Sequence, residues 1–310
     1  MKAIIFPGQG AQYPGMGKDL YDNNLSAKNV FLDIDRLSGV NVTQLCFFAP
    51  ESELNDLYNQ QLAVLATSLA AYAAFKETGI NPVRCLLSNG VNVDFFSGLS
   101  LGQYTCLYPA GVLALDSLVR LVKKRAEVTQ KVSLDCPSSM LAVMGLERNC
   151  LEALGKKEGF YLANINSCRQ IVISLKREDL EMTKNILLDC GAKIAELKIG
   201  VGFHSPLMMK AKKHLKDFAD NLEFKPAKIP IVNNVTGRAH IDKDEIKKNL
   251  IEQLTSPVLW QDCVEFMIKS GVEVFFEIGP SRVLRGLIRK INSQSKVINI
   301  EKTEDLKWKK

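Results

Sequence analysis

Val91-Asn92-Val93-Asp94-Phe95-Phe96-Ser97-Gly98-Leu99-Ser100-Leu101-Gly102-Gln103-Tyr104 holds the change from strand to helix on which the fold turns. Val91–Phe96 is an apolar, β-favouring run, and Gly98-Leu99-Ser100-Leu101-Gly102 follows it at once. A GxSxG element between a strand and a helix reads as a nucleophile elbow. Its flanking glycines allow a sharp turn that presents the serine hydroxyl at the strand's carboxyl end. The helix beginning at Leu101 aims N–H groups at the place where negative charge would develop. The same residues also suit an ordinary strand–helix turn with a capping serine.

Outward from the elbow, strand and helix alternate. Residues 3–6 form a strand ended by Pro7-Gly8-Gln9-Gly10, and Leu62–Phe75 is an Ala-rich buried helix. At 14 residues, with Thr67 and Ser68 inside it, that helix is too short to cross a bilayer, so no membrane association is expected. Pro109 should shorten the helix after the elbow, and Asp116 suits the N-cap of a helix running to about Ser133. The pattern then changes to strand 139–146, helix 149–157, strands 160–165 and 170–175, helix 178–190 and strand 193–199. This β-α-β-β-α-β order is the ferredoxin-like signature. It predicts a subdomain over residues 133–199, set into a larger α/β body made of 1–132 and 200–310. Beyond it the pattern gives a helix at 206–222, a strand at 229–235, helices at 243–254 and 260–270, a strand at 272–278 and a last helix at 282–292. Glu301–Lys310 reads as a polar, frayed tail. The alternation in the body implies a mainly parallel sheet covered on both faces.

The 310 residues, 46% hydrophobic and 24% charged, exclude collagen-like and disordered classes. A net charge of +6 is dispersed along the chain, which argues against nucleic acid while permitting an acidic protein partner. None of the eight cysteines forms a CxxC or a metal-ligand spacing, which predicts reduced, buried thiols in a cytoplasmic protein. The apolar run at the N-terminus breaks at Pro7, so no signal peptide is expected, and nothing demands an oligomer, leaving a monomer as the expectation.

A serine nucleophile needs a base, and there are three histidines. His240 lies in a polar turn, and His214 sits half exposed at the edge of a helical stripe beside Lys212 and Lys213. His204 occupies a loop before a helix that Ser205 can cap and Pro206 can open, which is where catalytic bases usually sit, although a lone loop histidine equally suits a structural or solvated role. On the helix after Asp116, Arg125 falls amid Leu118, Leu121, Val122 and Val128, opposite Arg120, Lys123, Lys124 and Glu127. A guanidinium on an apolar face needs an anion, either a structural ion-pair partner or a substrate carboxylate held bidentately.

Seven motifs in order complete the pattern: Phe6-Pro7-Gly8-Gln9-Gly10-Ala11-Gln12, the elbow, Lys124-Arg125, Phe203-His204-Ser205-Pro206-Leu207-Met208, Pro230-Ile231-Val232-Asn233-Asn234-Val235, Gln253-Leu254-Thr255-Ser256-Pro257-Val258 and Glu277-Ile278-Gly279-Pro280. From Ala3 to about Ile291 the chain resembles the malonyl-CoA:acyl-carrier-protein transacylase family, which includes discrete acyltransferases of polyketide synthesis. The resemblance implies a hydrolase-like α/β body with a ferredoxin-like insert. It implies Ser100 as nucleophile, His204 as its base, and Gln9 with the Leu101 backbone N–H as oxyanion hole. It further implies Arg125 on the malonyl carboxylate and the Gln253 main-chain carbonyl orienting the histidine, with no acidic third member. Phe203 resembles the malonyl-selective version, since a large ring leaves little room for an α-methyl group. No cofactor is implied beyond the substrate malonyl-CoA and the phosphopantetheine of an acyl-carrier protein or a polyketide synthase carrier domain.

The chain departs from the family's pattern at five positions, one of them Pro109, which replaces a helix-compatible residue. Leu99 and Gln103 replace the histidine and glutamate common in the elbow, pointing to a polyketide role over housekeeping fatty-acid synthesis; Ala126 and Thr129 stand where glycine and methionine are common. An acyl hydrolase acting on carrier proteins and a non-catalytic docking subunit are the rival readings. Arg282, Arg285, Arg289, Lys290, Lys123 and Lys124 are candidates for a basic rim that would meet an acidic carrier protein.

Overall fold

The computed structural model describes residues 1–81 and 91–308. In chain order the strands are β1 (Lys2–Phe6), β2 (Ile80–Asn81), β3 (Val91–Asn92), β4 (Phe95–Gly98), β5 (Ser138–Met144), β6 (Tyr161–Ser167), β7 (Gln170–Lys176), β8 (Lys193–Glu196), β9 (Ile231–Val232), β10 (Ala239–His240), β11 (Val274–Ile278) and β12 (Lys296–Ile300). The main sheet has the order β10-β9-β4-β1-β11-β12 and is parallel except at β10–β9. On its central strand Ile4 and Phe6 enter one hydrophobic cluster, while Ala3 and Ile5 enter another on the opposite face. That alternation is why β1 reads as an unbroken apolar run: both of its faces are covered.

Helix Asn59–Glu77 is buried on nearly every side, packed against helices Leu25–Ser38 and Leu115–Asp135. An apolar stretch of this kind is a core helix, and among the described residues no helix is long and apolar enough to cross a membrane.

A separate antiparallel sheet, β6-β7-β5-β8, carries helices Arg148–Glu158 and Leu180–Asp189. Leu141, Val143, Ile171 and Ile173 pack with Leu151 and Leu187 from those helices, forming a core of its own. The opposite face turns Met140, Ala142 and Val172 toward the body. Main-chain bonds from Ile165 N to Val258 O and from Val258 N to Ala163 O, each 2.8 Å, stitch this sheet to the loop before helix Trp260–Lys269.

Several sequence expectations are corrected. Lys296–Ile300 is a strand, and the tail beyond it is tied down by Glu301, which accepts from Tyr13 and from Ser281 N, and by the Trp308 ring, 4.9 Å from Phe276. Helix Leu115–Asp135 is N-capped by Ala114, with Asp116 inside its first turn and paired to Arg120. Ser205 donates to Gly202 O at 2.7 Å instead of capping, and Pro206–Met208 is a 3₁₀ turn before helix Met209–Ala219. The apolar strand expected at 229–235 is confined to Ile231–Val232. Cys46, Cys106 and Cys263 are buried, but Cys150, Cys168 and Cys190 are exposed and Cys136 is half-buried; Cys85 lies outside the described residues. The exposed thiols sit where the small subdomain's outer helix and turns face solvent.

Candidate active site

The elbow forms at the carboxyl end of β4. Ser100 adopts φ 53°, ψ −105°, and helix Leu101–Thr105 follows directly, ending well before Pro109. Two glycines make this turn possible by proximity alone. A Cβ on Gly102 would lie 2.0 Å from Phe6 O, and one on Gly98 would lie 2.2 Å from the Gly102 carbonyl carbon. Any side chain there would push the serine away from the sheet.

Ser100 Oγ lies 2.8 Å from His204 Nε2, and His204 Nδ1 lies 2.7 Å from Gln253 O. A carbonyl only accepts, so the ring proton sits on Nδ1, and Nε2 presents its lone pair to the serine hydroxyl. His204 is 3% exposed, and burial together with the Arg125 charge pushes its pKa down to about 3 against the pull of the Gln253 carbonyl. The imidazole is therefore neutral at physiological pH and ready to accept a proton. Its loop is anchored by the small sheet: Gly202 N donates to Ser138 Oγ at 2.6 Å, and Ser174 Oγ donates to Phe203 O at 2.6 Å.

Arg125 is 0% exposed. Its Nη1 donates to Gln9 Oε1 at 3.2 Å and to Gln61 Oε1, and its Nη2 donates to Ser100 Oγ at 3.3 Å. The Tyr104 and Phe203 rings lie 5.0 and 5.1 Å from the guanidinium carbon. Among the described residues no carboxylate pairs with it, so the structural ion-pair alternative is not what the fold provides. Burial holds its pKa below the ordinary guanidinium value, with Tyr104 opposing, yet an arginine stays charged. A buried cation whose partners are all neutral, the Ser100 hydroxyl among them, suits a carboxylate that arrives with a ligand.

Gly8, Gln9, Leu99, Ser100, Phe203 and His204 share one wall of a cleft of about 190 Å³ whose other wall is the small sheet, with Asn164, Asn166 and Gln170. Leu101 begins the elbow helix, where the first amides have no partner within the helix. Val283 and Leu287 of helix Val283–Ile291 lie at the cleft's rim, and Lys290 on the same helix donates to Gln170 Oε1 at 2.8 Å. Of the other basic-rim candidates, Lys123 donates to Ser38 O and Lys124 faces Glu127. His214 is exposed on its helix, and His240 Nε2 meets Thr236 Oγ1 at 2.9 Å; neither reaches Ser100.

The sequence reading assigned no role to Asn234 or Gln61. Asn234 Oδ1 accepts from Ser100 N at 2.8 Å while its Nδ2 donates to Gly98 O at 2.9 Å, gripping the elbow on both sides of the serine. Gln103 Oε1 accepts from Asn234 N and from Gln253 Nε2, so this elbow substitution is spent on the internal network. The available signals were positional. Asn234 follows β9 at the carboxyl end of the parallel sheet, and Gln61 is one of the few polar residues buried within a largely apolar helix.

With this geometry in place, comparison with known proteins is decisive. The family model described as acyl transferase domain matches residues 3–304. A malonyl CoA-acyl carrier protein transacylase of Bacillus subtilis is 37% identical, the match covering 98% of this chain and 94% of that one. The chain belongs to the malonyl CoA-acyl carrier protein transacylase family. Among solved structures, the family's Clostridium perfringens member superposes with a TM-score of 0.90 at 32% identity, covering 99% of this chain and 95% of that one. A malonyl-transacylase in complex with its type II PKS acyl-carrier protein superposes with a TM-score of 0.91 at 30% identity, covering 98% and 97%. The family's fold is thus this one: a mainly parallel α/β body joined to a separate antiparallel sheet.

Proposed function

We propose that the chain moves a malonyl group from malonyl-CoA to the phosphopantetheine thiol of an acyl-carrier protein through an ester on Ser100. The observation that carries this reading is Arg125, a buried cation without a carboxylate partner among the described residues, 3.3 Å from the serine oxygen. In the first half-reaction His204 Nε2 takes the Ser100 proton as Oγ attacks the malonyl thioester. The oxyanion forms beside Gln9 and the Leu101 amide. The ester forms as coenzyme A leaves, carrying the proton held by His204. In the second half-reaction the carrier protein's thiol gives its proton to His204 and attacks the ester, and Ser100 regains its hydrogen. The Gln253 carbonyl holds the imidazole in the tautomer both halves require, so no acidic third member is needed.

Arg125 also weighs against the hydrolase reading, since clearing arbitrary stalled acyl groups needs no buried cation. The acceptor we favour is the acyl-carrier protein of fatty-acid synthesis. The two elbow substitutions that suggested polyketide synthesis are explained inside the protein, Gln103 by the Asn234–Gln253 network and Leu99 by packing against a core cluster. The neighbour in complex with a type II PKS carrier protein keeps a polyketide carrier as the alternative.

Intact-mass measurement after mixing with malonyl-CoA should show one malonyl group on Ser100, absent from S100A and discharged by holo acyl-carrier protein. Free malonate as the dominant product with carrier protein present would establish the hydrolase instead. Comparing carrier proteins of the two pathways as acceptors decides between them.

A further inference from the structure

We propose that Thr129 is a positioning residue for malonyl selectivity: acting through Gln61, it fixes the orientation in which Arg125 receives the substrate carboxylate. The inference rests on the carboxylate-holding reading of Arg125.

It begins with the direction of each hydrogen bond. Thr129 Oγ1 lies 3.1 Å from Ala126 O, and a carbonyl only accepts, so the threonine's one hydrogen is committed there. Toward Gln61 Nε2, 3.0 Å away, the same oxygen can then only accept. The second hydrogen of that amide goes to Leu57 O at 3.1 Å, again a group that only accepts. With both amide hydrogens assigned, Gln61 Oε1 is left facing Arg125 Nη1. A reversed amide would set N–H groups against a guanidinium that has only N–H groups to offer. It would also leave Leu57 O facing another acceptor.

All four side chains of this chain of contacts, Gln61, Arg125, Ala126 and Thr129, are 0% exposed, so water has no access to replace a lost partner. The guanidinium is fixed in turn. One edge is engaged by Gln61 and Gln9, its faces lie near the Tyr104 and Phe203 rings, and Nη2 is left at Ser100 Oγ. A carboxylate attached to an acyl group on Ser100 has to meet that edge, and Thr129 sets where the edge lies. Thr129 touches neither substrate nor Ser100; its influence is on binding geometry, and it should act on malonyl recognition more than on the chemical step.

T129V keeps the shape of the side chain and removes its oxygen, whereas T129S keeps the hydroxyl. Loading of Ser100 from malonyl-CoA and from acetyl-CoA is measured for both variants, for R125A and for the parent, alongside their melting temperatures. T129V is expected to raise KM for malonyl-CoA about tenfold, the size of one misdirected hydrogen bond to a charged group. Its kcat and its acetyl-CoA kinetics should stay within about twofold, and T129S should match the parent. If T129V is poorly folded, T129A is measured against T129S in its place. Equal losses for malonyl and acetyl, a lowered melting temperature alone, or a T129S variant as impaired as T129V would each overturn the proposal. R125A that keeps its malonyl preference would overturn the reading of Arg125 itself. R125A that loses the preference while T129V keeps it would overturn only the role of Thr129.

Discussion

H204A is expected to lower malonyl transfer by about four orders of magnitude, with binding of malonyl-CoA little changed. In the proposed mechanism this side chain, 2.8 Å from Ser100 Oγ, is the base, and it contributes only while Nε2 keeps its lone pair. The pH profile gives a second readout. Burial first, and the Arg125 charge after it, hold the folded pKa at about 3, below the ordinary histidine value of roughly 6.5. The base therefore stays unprotonated across the physiological range. kcat/KM, measured with malonyl-pantetheine to avoid nucleotide phosphate ionisation, should be flat from about pH 8 to pH 5. An acid limb centred near 6.5 would show that the imidazole titrates normally. The same shift has a sign for stability. Between about pH 3 and pH 6.5 the unfolded chain binds the proton that the folded chain refuses. This group's contribution is present above about 6.5 and is lost progressively as pH falls toward the folded value.

R125A is expected to reduce malonyl loading of Ser100 by about a hundredfold or more while improving acetyl loading relative to it. Losing one member of a buried, hydrogen-bonded charge pair costs about 2–5 kcal/mol, and each 1.4 kcal/mol is a factor of ten. On the proposed role of Arg125 the pair forms only when a carboxylate arrives, so the whole loss falls on malonyl. Removing the guanidinium also removes a cation that depresses the His204 pKa, so the acid limb of R125A should move upward. Unchanged preference in a variant that melts like the parent would mean that the carboxylate is held elsewhere.

What the sequence made legible follows local pattern. The strand–turn–helix around Ser100, the largely apolar helix at 59–77 and the β-α-β-β-α-β order of the smaller sheet's elements depend on neighbours in the chain, and periodicity reports neighbours. Arg125 stood out because a cation on an apolar helical face contradicts its surroundings. Lys296–Ile300 escaped because it is a short edge strand: Ile298 and Ile300 face one core cluster, Val297 packs against the other, and Lys296 and Asn299 break the apolar run. The grip of Asn234 on the elbow joins residues 134 positions apart, and Gln61 meets Arg125 across 64. Such pairings arise from the packing of the sheet and helices, and no local period encodes them.

Ser100 and His204 also share an uncommon backbone state, at φ 53° and φ 60°. Side chains ordinarily avoid this region, and holding one there costs about 1–3 kcal/mol. At most positions alanine is more stabilising than glycine, because glycine loses more freedom on folding. At Ser100 the order should invert: both S100A and S100G lack the hydroxyl, yet S100G should melt at the higher temperature. S100A melting at or above S100G would mean that the turn stores no strain. Selection for heat resistance alone would thus favour glycine at the proposed nucleophile's own position, and on that reading thermal robustness and turnover pull in opposite directions at this elbow.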